Sequence, residues 1–336
     1  MSDLVPTQPE TSNPGPDASL SLMGRLFGVP LLIVVCIVSS VTLVVTAFGW
    51  IAMEQERSIE ALLATLEGGG GQKNAFGMLA PRDKEYWQAA QELANRLKRP
   101  DDELPPEARP DVAKRLAAMI AKLDTTSLSV QGRTTFQFLV LALAGLDEGV
   151  GIDVLVERLT DDDPGIRRMA LQGLAEMRHT ENIDRAVPAV ARLARDSVKE
   201  VQMVACNALG NIARPGQPAA IEALIGALAA DQEVVWNAAL ALGFLGSDKA
   251  LVQLTSMLDR STWEDRVTVR YLTPQGLIER PMTPIEIRGY LKAAMDSASR
   301  LDDPRLRDLI DELQEDKDHE IREHARKLIA AQPPAA

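Results

Sequence analysis

One helical segment recurs four times in this chain, and this repetition constrains the fold more than any other feature of the sequence. In each copy an aliphatic residue stands four positions before an alanine; the pairs are Ile166 and Ala170, Val201 and Ala205, Val234 and Ala238, and Ile321 and Ala325. A shorter amphipathic segment precedes each copy, and the first three copies recur 35 and then 33 residues apart. Because a single helical pair cannot bury its apolar face alone, this repetition predicts a solenoid of stacked helical pairs.

The first copy shows the shared pattern most clearly, since Asp163-Pro164-Gly165-Ile166-Arg167 combines an acid, a proline, an aliphatic residue and an arginine. In this pattern the chain resembles HEAT repeats, specifically the short HEAT-like repeats also found in phycobilisome lyases. The resemblance covers about residues 151–332, and more loosely extends back to residue 110. Gln202 and Val235 replace the arginine in the second and third copies, so any ladder of Arg–Asp pairs should be incomplete. The resemblance implies binding to a protein partner and says little else about function.

The composition excludes several classes of protein. The chain has 336 residues and a formal net charge of −12, and it lacks the clustered Lys and Arg that neutralise phosphates, so we expect no nucleic-acid partner. Its two cysteines, Cys36 and Cys206, lie far apart in the sequence, which excludes a disulfide framework and a cysteine-based zinc site. Aromatic residues are only 4% of the chain while Ala and Leu are abundant, which favours helices over sheets.

A long apolar run lies near the N-terminus. No residue between Arg25 and Glu54 is charged, and about 20 apolar residues suffice to cross a bilayer, so we predict a transmembrane helix at residues 26–53. A cleaved signal peptide is the alternative, but its apolar core would be only about 7–15 residues long. Arg25 precedes the run and acidic residues follow it, so the positive-inside rule places the N-terminus in the cytoplasm and the repeats across the membrane.

Changes in composition indicate the domain boundaries. Residues 1–24 are acidic and rich in Pro, Ser and Thr, which predicts a disordered tail. We predict a helical neck at residues 54–108, with a hinge at the glycine run 68–71, and a HEAT-like solenoid at residues 109–332. The predicted fold class is therefore all-α: a transmembrane helix followed by an α-solenoid of HEAT-like helical pairs, with one inserted β-hairpin.

The predicted hairpin, at about Val267–Met282 within an insertion at residues 262–283, interrupts the helical pattern. The hydrophobic period drops to two on both sides of Thr273-Pro274-Gln275-Gly276, which has the residues of a tight turn. This turn pairs Leu272 with Leu277, Tyr271 with Ile278, Arg270 with Glu279, and Val267 with Met282. Thr283 and Glu286 then form a predicted capping box for the next helix. An isolated hairpin is marginal in water, so its apolar face should pack on the repeats or on a partner.

The sequence offers little chemistry. The three histidines are His179, His319 and His324, and the last two are five residues apart, about 140° around a helix, so their imidazoles do not converge on a metal. The Asp161-Asp162-Asp163 run lacks the layout of a calcium loop and is explained by helix capping. We therefore predict no catalytic residues, no metal site and no cofactor.

The candidate binding residues are surface positions. In the second helix of a HEAT-like pair, the position two after the aliphatic residue should be exposed, and these residues are Arg168, Met203 and Trp236. Trp236 could instead pack between adjacent repeats. The hairpin adds four candidates: Arg270, Tyr271, Leu272 and Leu277.

The predicted function is that of a membrane-anchored scaffold or adaptor, without catalytic activity, that binds one or more protein partners. Two alternatives stay open at this point. The repeat subtype suggests a maturation enzyme of the phycobilin-lyase kind, and the anchor is also compatible with a permanent structural subunit of a membrane complex.

Overall fold

Helices form nearly all of the regular structure in the part of the chain that the structure describes. The computed structural model describes residues 58–68, 81–98, 104–126, 128–263, 267–273 and 276–331. The first helices of the pairs are α1 (Ile59–Gly68), α3 (Arg109–Lys122), α5 (Val150–Arg158), α7 (Val187–Leu193), α9 (Pro218–Ala227), α11 (Leu251–Leu258) and α13 (Pro304–Glu312). The second helices are α2 (Pro81–Leu97), α4 (Val130–Ala144), α6 (Pro164–Glu176), α8 (Lys199–Ile212), α10 (Gln232–Phe244), α12 (Pro284–Ala298) and α14 (His319–Ala331). Strands β1 (Thr268–Thr273) and β2 (Gly276–Pro281) lie between α11 and α12.

The pairs stack in two layers, as the repeats predict. Each second helix from α2 to α12 packs against the next second helix in the chain, which forms one layer. The first helices form the other layer, with contacts between α3 and α5, α7 and α9, and α11 and α13. The aliphatic and alanine positions of the repeat point into the space between the layers, and Ile166, Ala170, Val201 and Ala205 are buried there.

Capping side chains set where the second helices α6 and α12 begin. Helix α6 begins at Pro164, whose missing N–H costs nothing in the first turn, and the Asp163 carboxylate accepts a hydrogen bond from the Gly165 N–H at 2.7 Å. The acid–proline pair of the repeat pattern is thus a helix start signal. Thr283 and Glu286 form the predicted capping box at the start of α12, so this prediction is confirmed.

Two of the described helices lie within the predicted neck. Its described helices, α1 and α2, form the first helical pair of the stack, because α2 packs along α4 in the layer of second helices. Arg115 of α3 also binds Glu60 and Glu67 of α1 through short ion pairs of 2.8 and 2.6 Å. Helices α1 and α2 therefore pack on the stack, and the boundary at residue 109 stays a prediction. Residues 69–71 of the predicted hinge lie outside the described residues.

The predicted membrane location is corrected. Residues 26–53, predicted to span the membrane, and the tail at 1–24 lie outside the described residues. Within the described part of the chain, no helix has the length and apolar character needed to cross a membrane. The longest described helix, α2, has 17 residues and several charged ones, whereas a span needs about 20 mainly apolar residues. The prediction of a single-pass membrane protein is contradicted by this finding.

The inserted hairpin has the predicted register. Leu272 pairs with Leu277, Tyr271 with Ile278, and Arg270 with Glu279, and the Met282 N–H donates to the Val267 carbonyl at 2.7 Å. The base of the hairpin packs on the repeats, since Val269 and Met282 are buried in the shared core. Ile278 of β2 lies farther from this base and is exposed.

Polar side chains link successive repeats. The ion pairs between neighbouring repeats include Arg133–Asp163, Arg167–Asp196, Lys199–Glu233 and Arg288–Asp318. A second bond recurs within the repeats, from the arginine position to the backbone carbonyl six residues earlier; it joins Arg167 to Asp161, Gln202 to Asp196, and Arg322 to Asp316. Gln202 thus keeps the carbonyl bond of the arginine it replaces, while the hydrocarbon side chain of Val235 cannot donate one.

Candidate functional site

A groove crosses the layer of second helices near their C-terminal ends. It encloses ≈ 420 Å³ and is lined by the ends of α6 and α12 and by the C-terminal halves of α8 and α10. We call it the second-helix groove. It has a floor of small residues, a lining of amide side chains and two arginines.

The floor of the second-helix groove is made of small residues. Gly210, Ala241 and Ala293 line it on three successive second helices. A Cβ on Gly210 would lie only 3.1 Å from the Ala241 Cα, so glycine is what lets α8 and α10 approach this closely. Side chains this short leave room for another chain's backbone to lie against the helices.

Three asparagines line the second-helix groove. Asn207 and Asn211 are one turn apart on α8, and Asn237 is on α10. The Asn237 Nδ2 donates to the Glu233 carbonyl at 2.7 Å, and the Asn211 Nδ2 donates to the Asn207 carbonyl at 2.9 Å. These bonds hold both side chains along their own helices and leave the Oδ1 atoms as available acceptors.

Two arginines complete the second-helix groove. Arg178 follows α6 and Arg300 follows α12, and both are exposed. The Arg300 guanidinium lies over the Phe244 ring, 5.1 Å from its centroid, which favours one orientation of the cation. No carboxylate lines the groove within the described residues.

The predicted surface positions of the repeats differ in exposure. Arg168 on α6 is exposed, as predicted, and Met203 on α8 is half-buried against the core. Trp236 is only 4% exposed, so the prediction of an exposed anchor is wrong for this residue. The alternative, packing between repeats, describes its position. None of the three lines the second-helix groove.

Trp236 is buried because aromatic residues from two other segments cover it. Its ring centroid lies 5.1 Å from that of Trp263, which begins the hairpin insertion, and 5.1 Å from that of Tyr290 on α12. The Trp263 Nε1 donates to the Met257 carbonyl at 2.8 Å. This aromatic cluster fastens the start of the insertion to α10 and α12.

The four hairpin candidates occupy the middle of the two strands. Arg270, Tyr271 and Leu272 are in β1 and Leu277 is in β2. Their side chains lie outside the described part of the structure. Their role in binding therefore stays a prediction.

Reactive side chains do not come together among the described residues. Burial raises the pKa of the Cys206 thiol to about 12. His324 contacts Asp296 on α12 at 2.7 Å, while His179 and His319 are exposed on separate parts of the stack. In the described part of the chain no three His, Cys, Asp or Glu side chains are grouped so that they could hold a metal ion.

Sequence reasoning missed most of the second-helix groove. The spacing of Asn207 and Asn211 on one face of α8 was visible, as was the unusual choice of amides over charged residues there. The sequence did not show that Arg178 and Arg300 lie beside these amides, because the two arginines are more than 100 residues apart.

Comparisons with known proteins agree with the repeat architecture. Residues 152–235 match the model of the family described as HEAT repeats. The comparison with curated proteins finds no match.

Two solved structures that are similar to this chain are distant from it in sequence. A designed armadillo repeat protein in complex with the peptide (KR)4 is 15% identical, with a TM-score of 0.39, 80% of this chain and 97% of the other covered. The complex of CpcE and CpcF of phycocyanin lyase from Nostoc sp. PCC7120 is 15% identical, with a TM-score of 0.45, 82% of this chain and 94% of the other covered. At such identities and TM-scores these likenesses carry no argument about function.

Proposed function

We propose that this chain is a non-catalytic helical-repeat scaffold that binds a protein partner in the second-helix groove. One observation carries the proposal: small residues of three successive second helices form the floor of the groove, and amide side chains of two of these helices line it. The stacked repeats supply a long, preformed surface, and solenoid proteins commonly bind their partners on such extended surfaces.

The lining of the groove suits the backbone of an extended segment. The peptide backbone presents alternating N–H donors and C=O acceptors, and Asn side chains offer both kinds of group. Asn207, Asn211 and Asn237 lie on two neighbouring helices, so a segment crossing the stack meets them in succession. The short side chains of Gly210 and Ala241 let that segment lie close to the helices.

The burial and protonation of the Cys206 thiol support the non-catalytic part of the proposal. Cys206 is fully buried, and its raised pKa keeps the thiol protonated near neutral pH. A thiol in this state is a poor nucleophile, which counts against attachment chemistry at this cysteine.

Site-specific cross-linking tests the proposed function. A photoreactive amino acid replaces Asn211 in the second-helix groove of the full chain, and in a control protein it replaces Glu222, which is exposed on the first helix α9. After irradiation in the native host, we expect a discrete adduct from position 211 and little from position 222. Equal yields at both positions, or no adduct at position 211, would contradict the proposal.

A further inference from the structure

We infer that the segment bound in the second-helix groove is acidic: an extended peptide whose Asp or Glu side chains bind Arg178 and Arg300. The inference rests on the proposed function and adds the chemistry of the partner. It is carried by the distribution of charge in the groove and by the state of its two arginines.

The charge of the groove is opposite to that of the chain. The whole chain has 48 acidic and 36 basic residues. The described lining of the groove contains two arginines and no carboxylate. A local positive charge on an acidic protein attracts acidic segments and repels basic ones, which favours one class of partner.

Arg178 and Arg300 differ from the arginines that hold the stack together. Arg167 and Arg288 each donate to an aspartate of the next repeat, Asp196 and Asp318. Among the described residues, neither Arg178 nor Arg300 has an acceptor for its guanidinium or a carboxylate partner. Their donors are therefore available to a ligand.

Helix termini explain only part of this placement. Both arginines follow the C-terminal end of a second helix, where a positive charge offsets the partial negative charge of the last carbonyls. That effect needs a charge, and a lysine would serve equally well. It does not use the planar set of donors that a guanidinium presents to a carboxylate.

The Phe244 ring prepares Arg300 for such a contact. The Arg300 Cζ lies over the Phe244 ring, 5.1 Å from its centroid, and this cation–π contact leaves the guanidinium N–H groups able to reach an acceptor. The same contact limits the rotamers of a long side chain, which reduces the entropy lost on binding. A carboxylate bound there receives two parallel hydrogen bonds.

The groove thus divides recognition between two kinds of group. The asparagines bind the backbone of an extended segment whatever its sequence, and the arginines select acidic side chains on it. A neutral or basic segment would leave both arginines without a carboxylate partner, and a basic one would add repulsion. We therefore expect acidic partners to be preferred over neutral and basic ones.

A peptide-binding measurement tests this inference. The probe is a fluorescent peptide of alternating Glu and Ser, compared with peptides that carry Gln or Lys in place of Glu. The full chain is measured as wild type, as the double variant Arg178→Gln with Arg300→Gln, and as a control double variant, Lys114→Gln with Arg192→Gln. The control removes two positive charges that are exposed on the first helices α3 and α7.

We expect the Glu peptide to bind the wild type more tightly than the Gln or Lys peptide, with an affinity that falls as salt rises. The groove variant should lose about tenfold or more in affinity for the Glu peptide, because two charge-assisted contacts are removed. The control should stay within about twofold, since distant exposed charges are screened.

Two results would overturn the inference: a wild type that does not prefer the Glu peptide, or a groove variant that binds it as well as the control does. These results leave the proposed function standing if position 211 still forms its cross-linked adduct. Absence of that adduct removes the proposed function itself, so the two failures are distinguishable.

Discussion

Arg167 and Asp196 join two successive repeats through a pair of parallel hydrogen bonds, with the Arg167 Nε and Nη2 donating to the Asp196 carboxylate at 2.9 and 2.8 Å. Both side chains are largely buried, at 12% and 6% exposure. Arg288 likewise binds Asp318 farther along the stack, with Nε and Nη2 both directed at one carboxylate oxygen. The arginine of the repeat pattern is therefore a structural link between repeats.

Removing this link should destabilise the fold. We expect Arg167→Ala to cost about 3 kcal/mol in the free energy of unfolding, because it leaves the Asp196 carboxylate buried without its partner. Arg167→Gln should cost less, since Gln202 shows that glutamine can keep the bond to the carbonyl six residues earlier. Urea unfolding measures both values. Equal losses for the two variants would contradict this account of Gln202.

Two glycine positions should respond to alanine in opposite directions. At Gly243 in α10 a Cβ would lie 2.0 Å from the Ser297 Oγ, and Ser297 is fully buried with its hydroxyl donating to the Leu240 carbonyl. We expect Gly243→Ala to destabilise by about 1–3 kcal/mol despite its better helix propensity.

The matched control for Gly243 is Gly289 in α12, where a Cβ would have nothing within 4 Å. Gly289→Ala should stabilise by about 0.5–1 kcal/mol, because alanine loses less backbone entropy in a helix. Thermal and urea unfolding of both variants give the two signs. Destabilisation at both positions would show that close approach at Gly243 is not the cause.

The aromatic cluster should contribute strongly to stability. Trp263→Ala removes a 4% exposed ring that packs on Trp236 and Tyr290, and we expect a loss of about 3–5 kcal/mol. Trp263→Phe keeps most of the packing but loses the hydrogen bond to the Met257 carbonyl, so it should cost less, about 1–2 kcal/mol. An alanine variant as stable as the wild type would contradict the conclusion that Trp263 holds the insertion against the repeats.

The contacts of Glu286 should make the free energy of unfolding depend on pH in the acidic range. The Arg280 guanidinium hydrogen-bonds its carboxylate, and the Thr283 N–H and hydroxyl add to this, so the pKa of Glu286 lies well below its usual value despite the opposing effect of burial. The unfolded pKa is about 4.3, so this stabilisation is fully present above that pH. It is lost as the pH falls towards the lower folded pKa.

The measurement is the free energy of unfolding as a function of pH, for the wild type and for Arg280→Gln. In the variant the folded pKa of Glu286 should move back towards its usual value, so its stability should fall less steeply below about pH 4. Parallel pH profiles for the two proteins would contradict the assigned cause.

Cys206 should be unreactive in the folded protein. Its thiol is buried and its pKa is raised to about 12, so a thiol reagent meets neither an accessible nor an ionised group. In a Cys36→Ser background, labelling should be slow at neutral pH and become rapid after addition of denaturant. Rapid labelling of the folded chain would reopen the question of chemistry at this cysteine.

The local parts of the fold were predictable because their signals are local. The register of the hairpin followed from the turn residues Thr273–Gly276 and from a period of two on either side. The capping box at Thr283 and Glu286 followed from a spacing of three. The stacked pairs followed from one aliphatic–alanine pattern, since each repeat must bury the same face.

Features that depend on contacts between distant segments were missed. The exposure predicted for Trp236 was wrong because Trp263 and Tyr290 reach it from the insertion and from α12. Helices α1 and α2 were interpreted as a neck because they lack the repeat pattern, although they pack as the first pair. The second-helix groove was missed for the same reason, because no single segment contains both its amides and its arginines.

The most direct test of the central claim fills the second-helix groove without changing its charge. Ala293→Trp places a large ring on the groove floor. As a control, Ala219→Trp places the same ring at an exposed position of the first helix α9. The partner is first identified through its cross-link to position 211. The measurement is then the amount of this partner that each full-length variant captures. We predict at least about a tenfold loss of capture for Ala293→Trp, with unchanged capture for Ala219→Trp and unchanged thermal stability for both. Undiminished capture by a stable Ala293→Trp protein would contradict the claim that the partner binds in this groove.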